Sequence, residues 1–373
     1  MLNLDHNATT PLRPGALEAM LPWLSGSAGN PASAHGLGRR ARRALEDARE
    51  QVAGLLGAFA DEVNFTSGAT EANNLALFGL AGDPPGTILA SPIEHPCVIE
   101  PLQQLAGRGF IVEWLPVSPD GIVEHSGSRS ESSIVRLVTV MLANHETGAI
   151  QPISVLRTRY SAPFHCDAAQ AVGKIPIDFH ALGVTSLSAS GHKFGGPVGI
   201  GLLLLERGAK LQPLLFGGHQ QQGRRPGTES VALAVGLAAA LDGALREQEA
   251  VAVKMLALRG RFLEALQQVS PVILNGPESG GLPHVLNLSF SGCRADALLM
   301  ALDLAGIACS TGSACSSGSL LPSPVLQAMG VPEERLRSAM RFSLGPELSE
   351  ADIDEAARRI VQVVKRLRSV DFT

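Results

Sequence analysis

Short β-branched or apolar runs alternate with alanine- and leucine-rich runs through the first two thirds of the chain. Gly86-Thr-Ile-Leu-Ala, Ile134-Val-Arg-Leu-Val-Thr-Val-Met-Leu and Gly199-Ile-Gly-Leu-Leu-Leu-Leu read as strands, and Leu37 to Leu56 reads as a helix. This alternation predicts an α/β protein with a mainly parallel sheet covered by helices. From Glu229 to about Val269 apolar residues recur at helical spacing, and Val285-Leu-Asn-Leu-Ser-Phe reads as a strand opening a new αβ unit. A second, smaller domain is therefore expected to begin near residue 250. Glu124 to Ser133 and Ser154 to Tyr160 are expected as loops or short helices, and Ile353 to Leu367 as helical. No internal repeat is visible.

Composition narrows the class. The 373 residues, 45% of them hydrophobic, exceed one small core and suit two domains. A net charge of −5 leaves no broad basic field for nucleic acid, and the one dense cationic run, Arg39 to Arg43, falls on a solvated helix face. The start, Met1-Leu-Asn-Leu-Asp, lacks a basic region followed by an apolar one, and no apolar run reaches the roughly eighteen residues of a membrane span. A cytoplasmic protein with no membrane partner is expected. Five scattered cysteines argue against a disulfide framework and for reduced thiols.

Several short segments carry chemistry. Ser188-Ala-Ser-Gly-His-Lys sets Lys193 beside His192 and Ser190 just before a glycine-rich run. A lysine amine condenses with an aldehyde cofactor such as pyridoxal phosphate, and the neighbouring hydroxyl and imidazole can donate to its phosphate. Thr66-Ser-Gly-Ala-Thr-Glu lies at a strand-to-helix junction, where free N–H groups and Thr70 can hold a dianion or where Ser67 or Thr70 simply caps the helix. Asp167, with Gln170 three residues on, could pair with a protonated pyridine nitrogen while Gln170 reaches the ring's phenolic oxygen; a helix cap is the other reading. His95 precedes a proline that ends a strand, a rigid loop from which an imidazole could stack on a ring and shuttle protons.

Cys315 sits in Cys309-Ser-Thr-Gly-Ser-Ala-Cys-Ser-Ser-Gly, a stretch too poor in apolar residues to bury itself, which suits a thiol that collects a group and delivers it. Cys309 reads as structural, and no metal site is expected because further ligands at suitable spacing are missing. Arg341 alternates with apolar neighbours in a strand, so its burial requires a partner, a substrate carboxylate or a structural carboxylate.

The ordered set Leu4-Asp-His-Asn-Ala-Thr-Thr-Pro, Gly29-Asn-Pro-Ala-Ser-Ala-His, Thr66-Ser-Gly-Ala-Thr-Glu, Ile93-Glu-His-Pro, Asn144-His-Glu-Thr-Gly, His165-Cys-Asp-Ala-Ala-Gln, Ser190-Gly-His-Lys, Arg225-Pro-Gly-Thr and Gly312-Ser-Ala-Cys resembles the cysteine desulfurases of the NifS/IscS-like type nearly end to end. These are class-V aminotransferases of pyridoxal-phosphate fold type I. The resemblance implies a large domain over residues 15–250 with a seven-stranded sheet, and a small αβ domain from residues 1–14 and 251–373. It implies that Lys193 bears pyridoxal 5'-phosphate, that Asp167 and Gln170 hold its ring, and that His95 stacks on it. Ala69, Thr70, Ser190 and His192 would bind at its phosphate, and Thr228 would reach the phosphate of a partner subunit in a homodimer. Asn144 would contact cofactor and substrate, Arg341 would orient the substrate, and Cys315 would accept sulfur.

The implied reaction converts L-cysteine to L-alanine with a persulfide left on Cys315, Lys193 and His95 carrying protons, for delivery to a sulfur acceptor or iron–sulfur scaffold protein. The alternative is a selenocysteine lyase or another pyridoxal-phosphate lyase of the same fold. Pro346 stands where such chains usually carry arginine, and Cys97 is expected near the cofactor.

Overall fold

The computed structural model describes residues 1–26, 29–124, 134–312 and 322–370. Strand β1 (Leu2–Asn3) opens the chain, followed by helices α1 (Pro14–Ser25) and α2 (Gly36–Leu55). Then come β2 (Val63–Thr66), α3 (Ala69–Ala81), β3 (Thr87–Ala90), α4 (Pro96–Ala106), β4 (Ile111–Trp114) and β5 (Val135–Thr139). Short α5 (Ile153–Arg157) leads to β6 (Phe164–Asp167), short α6 (Phe179–Leu182), β7 (Ser186–Ser190) and β8 (Gly201–Leu205). These seven strands form one sheet in the order β2-β8-β7-β6-β5-β3-β4. Only β8 runs against the rest, pairing antiparallel with both β2 and β7.

Apart from the edge strand β4, the sheet is largely buried on both faces, which is why β8 reads as a continuous apolar run. In β8, Leu202 and Leu204 enter the core shared with α2 and the start of the long α7 (Val231–Leu266), while Leu203 and Leu205 enter the core beneath α3 and α4. The amphipathic period of α2 works the same way: Ala41, Leu45, Ala48 and Val52 are buried, and Arg39, Arg40, Arg42 and Arg43 are exposed, as the solvated-face reading requires.

A second core gathers Met255, Leu258, Phe262 and Leu266 of α7 with β9 (Val272–Leu274), β10 (Val285–Phe290), α8 (Ala295–Leu304), β12 (Ala339–Ser343) and α11 (Glu350–Val370). Residue 250 falls inside continuous α7, whose first half packs into the first core and whose second half packs into this one. Two-residue β11 (Ile307–Ala308) pairs with β1, and the short helices α9 (Pro324–Ala328) and α10 (Glu333–Leu336) precede β12.

The antiparallel sheet β12-β10-β9 has two unlike faces. Leu286, Leu288, Phe290, Met340 and Phe342 turn into the second core, whereas Asn287, Ser289, Arg341 and Ser343 alternate with them and are nevertheless buried. A buried polar face needs partners, and the N-terminal segment supplies some: the N–H groups of His6 and Asn7 donate to Ser343 O (3.2 Å) and Ser343 Oγ (2.9 Å). A few residues on, Thr10 N donates to His192 O (3.0 Å) and Thr10 Oγ1 accepts from Gly195 N (2.8 Å), which ties the small sheet to the loop after β7.

Candidate active site

Six of the large sheet's strands point the same way, and the loops at their C-terminal edge carry nearly all the residues singled out above. Ala69 and Thr70 follow β2, His95 follows β3, Asn144 follows β5, Asp167 ends β6, and Ser190 to Lys193 end and follow β7. Arg341 comes from β12 of the other core, in register with Asn287.

Asp167 is held rigidly. Its Oδ1 accepts from Ala169 N at 2.9 Å, a local turn rather than a helix cap, and Oδ2 accepts from Asn73 Nδ2 at 2.7 Å. Because that amide donates to a carboxylate, its oxygen must accept, so His165 carries its proton on Nε2 (2.8 Å to Asn73 Oδ1) and its Nδ1 accepts from Ser186 Oγ (2.8 Å). Burial holds the His165 pKa down at about 4, which keeps the ring neutral in this relay. Glu94, buried and bonded to Met141 N at 2.6 Å, has its pKa pushed well up by burial and then by the Asp167 charge.

His95 sits in the loop after β3, but Pro96 starts a helix where it was expected to end the strand. Pro96 begins α4, where its missing N–H costs nothing, and His95 is the N-cap, its Nδ1 accepting from Cys97 N at 3.1 Å. The remaining proton is therefore on Nε2. Burial lowers the His95 pKa, Asp167 opposes this, and Lys193 and Arg341 add to it, so the fields of all three reach this ring. Cys97 stands against the same group, its Sγ 3.0 Å from Asn73 Nδ2 and 4.0 Å from Asp167 Oδ2, with burial pushing its thiol pKa far up.

Lys193 follows β7 in a single 3-10 turn, Gly191–Lys193, and its Nζ donates to the backbone oxygens of Asn7 (2.5 Å) and Ala8 (3.0 Å). Asn7 O also accepts from Gln170 Nε2 (3.0 Å), and Lys174 Nζ donates to Gln170 Oε1 (2.6 Å) and, at 3.4 Å, to Asn7 Oδ1. The Gln170 amide is thus engaged with the N-terminal segment. Asn144 is engaged too: its Oδ1 accepts from Glu146 N and Thr147 N (both 2.9 Å), and its Nδ2 donates to Ile93 O (2.9 Å).

Arg341, 2% exposed, forms an ion pair with Asp5 at 2.7 Å and donates to His145 O at 3.2 Å. Both expectations for it stand side by side: the partner present is structural, while the buried Nε has no hydrogen-bond partner among the described residues.

Gly68 is the N-cap of α3 and offers no side-chain cap, so neither Ser67 nor Thr70 caps the helix and Thr70 is exposed in its first turn. Ser190 is buried at the end of β7, and His192 Nδ1 lies 3.1 Å from Thr9 Oγ1, its pKa held at about 4 by burial and by Lys193 and Lys174. Thr228 is exposed on the loop after Arg225, which pairs with Glu71 of α3 at 2.8 Å. Cys315 lies outside the described residues. The flanks of its segment are tied to the site: Ser310 exchanges backbone hydrogen bonds with Arg341, and Ser323 Oγ donates to Glu146 Oε2 at 2.5 Å.

Sequence reasoning missed Asn7, Asn73, His145 and Lys174. Asn7 and His145 stood inside quoted motifs, but the hydrogen bonds that tie them into the site reach residues more than a hundred positions away, and only Asn73, directly after the Thr66 to Glu71 junction, gave a local signal. Among the described residues no His, Cys, Asp and Glu cluster suited to a metal is present, no helix is long and apolar enough to cross a membrane, and none of Cys97, Cys166, Cys293 and Cys309 forms a disulfide.

The family described as aminotransferase class-V matches residues 2–356. The chain is 41% identical over 375 residues to the cysteine desulfurase IscS of Dictyoglomus turgidum, covering 98% of this chain and 95% of that one. It is 43% identical over 383 residues to the IscS-like cysteine desulfurase of Mycobacterium tuberculosis, covering 99% and 97%. A solved NifS-like protein superposes with a TM-score of 0.90 at 34% identity over 98% of this chain and 99% of the other. A structure titled SspA in complex with cysteine gives 0.81 at 35% identity over 93% and 99%. A match that spans both cores, at these identities, is a match of whole proteins, and the chain belongs to the class-V aminotransferase family, among its NifS- and IscS-like cysteine desulfurases.

Proposed function

We propose that this chain is a pyridoxal-phosphate-dependent cysteine desulfurase: L-cysteine and the Cys315 thiol give L-alanine and a Cys315 persulfide, the substrate's carbon–sulfur bond breaking as the sulfur–sulfur bond forms. The observation that carries the reading is that His95, Asp167 and Lys193 stand at one edge of the large sheet, where burial, opposed by Asp167 and aided by Lys193 and Arg341, lowers the pKa of the half-buried His95. The residues fit the cofactor. A Cβ at Gly68 would stand 3.7 Å from Ser190 Oγ, so glycine keeps open the space before the α3 N-terminus, where backbone N–H groups and the Thr70 hydroxyl suit a phosphate. Asp167, braced by Asn73, suits a cationic ring nitrogen, and Gln170, Asn144, Ala69 and His192 lie on the loops at the same edge of the sheet.

Pyridoxal phosphate, when bound, supplies an electron sink for the substrate's α-carbon. The chain's own residues do the rest. Arg341 exchanges Asp5 for the substrate carboxylate and fixes its orientation. His95 holds a proton at Nε2, its ring fixed by the capping bond at Nδ1, and the Lys193 amine moves protons within the same space.

We further propose a homodimer in which Thr228 reaches the partner's site; exposed Leu17, Leu21, Leu24, Leu37 and Phe216 support an apolar face covered by a second copy. Cysteines that form no disulfide among the described residues support a reducing, cytoplasmic setting, and delivery of sulfur to an acceptor or iron–sulfur scaffold protein completes the reading.

Borohydride reduction followed by peptide mass analysis tests the lysine. The cofactor's mass on Lys193 is expected, and its appearance on Lys174 or on no lysine would contradict the assignment.

A further inference from the structure

A cavity of about 480 Å³ lies beside Lys193 at the junction of the two cores. It shares Lys193 with the candidate site, but His95, Asp167, Asn144 and Arg341 do not line it. Its walls are apolar: Phe194, Val251, Ala252, Met255 and Leu344. Its charges are unequally matched. Glu247 already pairs with Arg13 at 2.8 Å and Glu347 with His6 at 2.5 Å, whereas Lys174 donates only to the neutral oxygens of Gln170 and Asn7 and has no carboxylate partner among the described residues. A half-buried amine in that position lacks a counter-ion. Burial, together with Lys193 and Arg341, holds its pKa well below the usual lysine range, in keeping with that lack.

We propose that this cavity binds a small monocarboxylate with an aliphatic body, the carboxylate paired with Lys174 and the chain lying against Val251, Met255 and Leu344. The volume falls in the range of small-molecule sites, and an apolar wall beside a lysine with no carboxylate partner among the described residues suits such an anion, whose charge would favour the protonated amine. Occupancy bears on the candidate site. Lys174 bonds Gln170 and Asn7, and Asn7 O holds the Lys193 amine, so an anion that draws Lys174 away shifts the groups that place Lys193. The coupling is reciprocal, and the binding itself does not depend on which reaction the other site performs.

Isothermal titration of the cofactor-loaded protein with octanoate, beside acetate, tests this. Saturable binding of octanoate is expected, with acetate, which has the charge but no body, at least about 10-fold weaker. Lys174→Met is expected to weaken octanoate by about 10-fold or more. Ala252→Phe, which fills the wall without touching the lysine's hydrogen bonds, is expected to weaken it similarly while the thermal melt stays cooperative. Absence of saturable binding to the unaltered chain would overturn the proposal, as would affinity unchanged from the unaltered chain in the folded Ala252→Phe and Lys174→Met proteins.

Discussion

Buried polar side chains hold position only through other buried polar side chains, and the site rests on a few of them. Asn73 is the clearest: it bonds Asp167 on one side and His165 on the other. Asn73→Ala leaves both short of a partner, and about a 10-fold loss of cofactor affinity is expected, readable in an absorbance titration. Arg341 acts on the substrate instead. Arg341→Lys loses the bidentate fork while keeping charge, so cofactor binding should persist while KM for cysteine rises about 10-fold or more. His165 makes stability depend on pH. Its folded pKa of about 4 lies below the ordinary 6.5, so below 6.5 the unfolded chain takes up a proton that the folded chain refuses. The stabilisation is therefore present above pH 6.5 and is lost as pH falls toward 4, by roughly 3 kcal/mol for this one group. Buried His145 and His284, whose pKa values burial also lowers, act in the same direction. Melting temperatures at pH 7 and pH 5 check this, with the lower value expected at pH 5.

At the scale of elements, the reversed strand of the large sheet starts at a closely packed glycine. A Cβ at Gly201, the first residue of β8, would stand 2.6 Å from Gly68 Cα and 2.6 Å from Ala189 O. Gly201→Ala must push β8 away from the start of α3 and is expected to cost about 1–3 kcal/mol, seen as a lower thermal midpoint. The elements themselves were largely legible. Val135–Thr139, Gly201–Leu205, Gly36–Leu55, Val231–Leu266 and Ala339–Ser343 carry their period or apolar run in the residues themselves. The setting of His95 was less legible, because a proline after a strand reads alike whether it ends the strand or begins a helix. The Glu124 to Ser133 expectation lies almost wholly outside the described residues, while Ser154 to Tyr160 begins in the single short helix α5 and continues as a loop.

At the scale of the molecule, two cores meet across the N-terminal segment, and that segment makes the site from both. Asn7 touches Ser343, His145, Gln170, Lys193 and His284, contacts that separate by 138 to 336 residues along the chain. No local pattern encodes such a hub, so the sequence showed which residues matter through ordered motifs but not that residue 7 ties them together. A homodimer, if the exposed apolar residues of α1 and α2 meet a second copy, should run in solution at twice the 38.9 kDa of one chain. Light scattering reads this directly, and a stable monomer would remove the composite site from the account.

The central claim is that sulfur leaves L-cysteine for Cys315. It is tested most directly by incubating the cofactor-loaded protein and its Cys315→Ala variant with L-cysteine, and counting alanine and protein-bound persulfide in the first turnover. One alanine per persulfide in the unaltered chain, with both lost in the variant and its cofactor absorbance retained, is the predicted result. Alanine formed at the same rate by Cys315→Ala, or cysteine consumed without alanine, would contradict it.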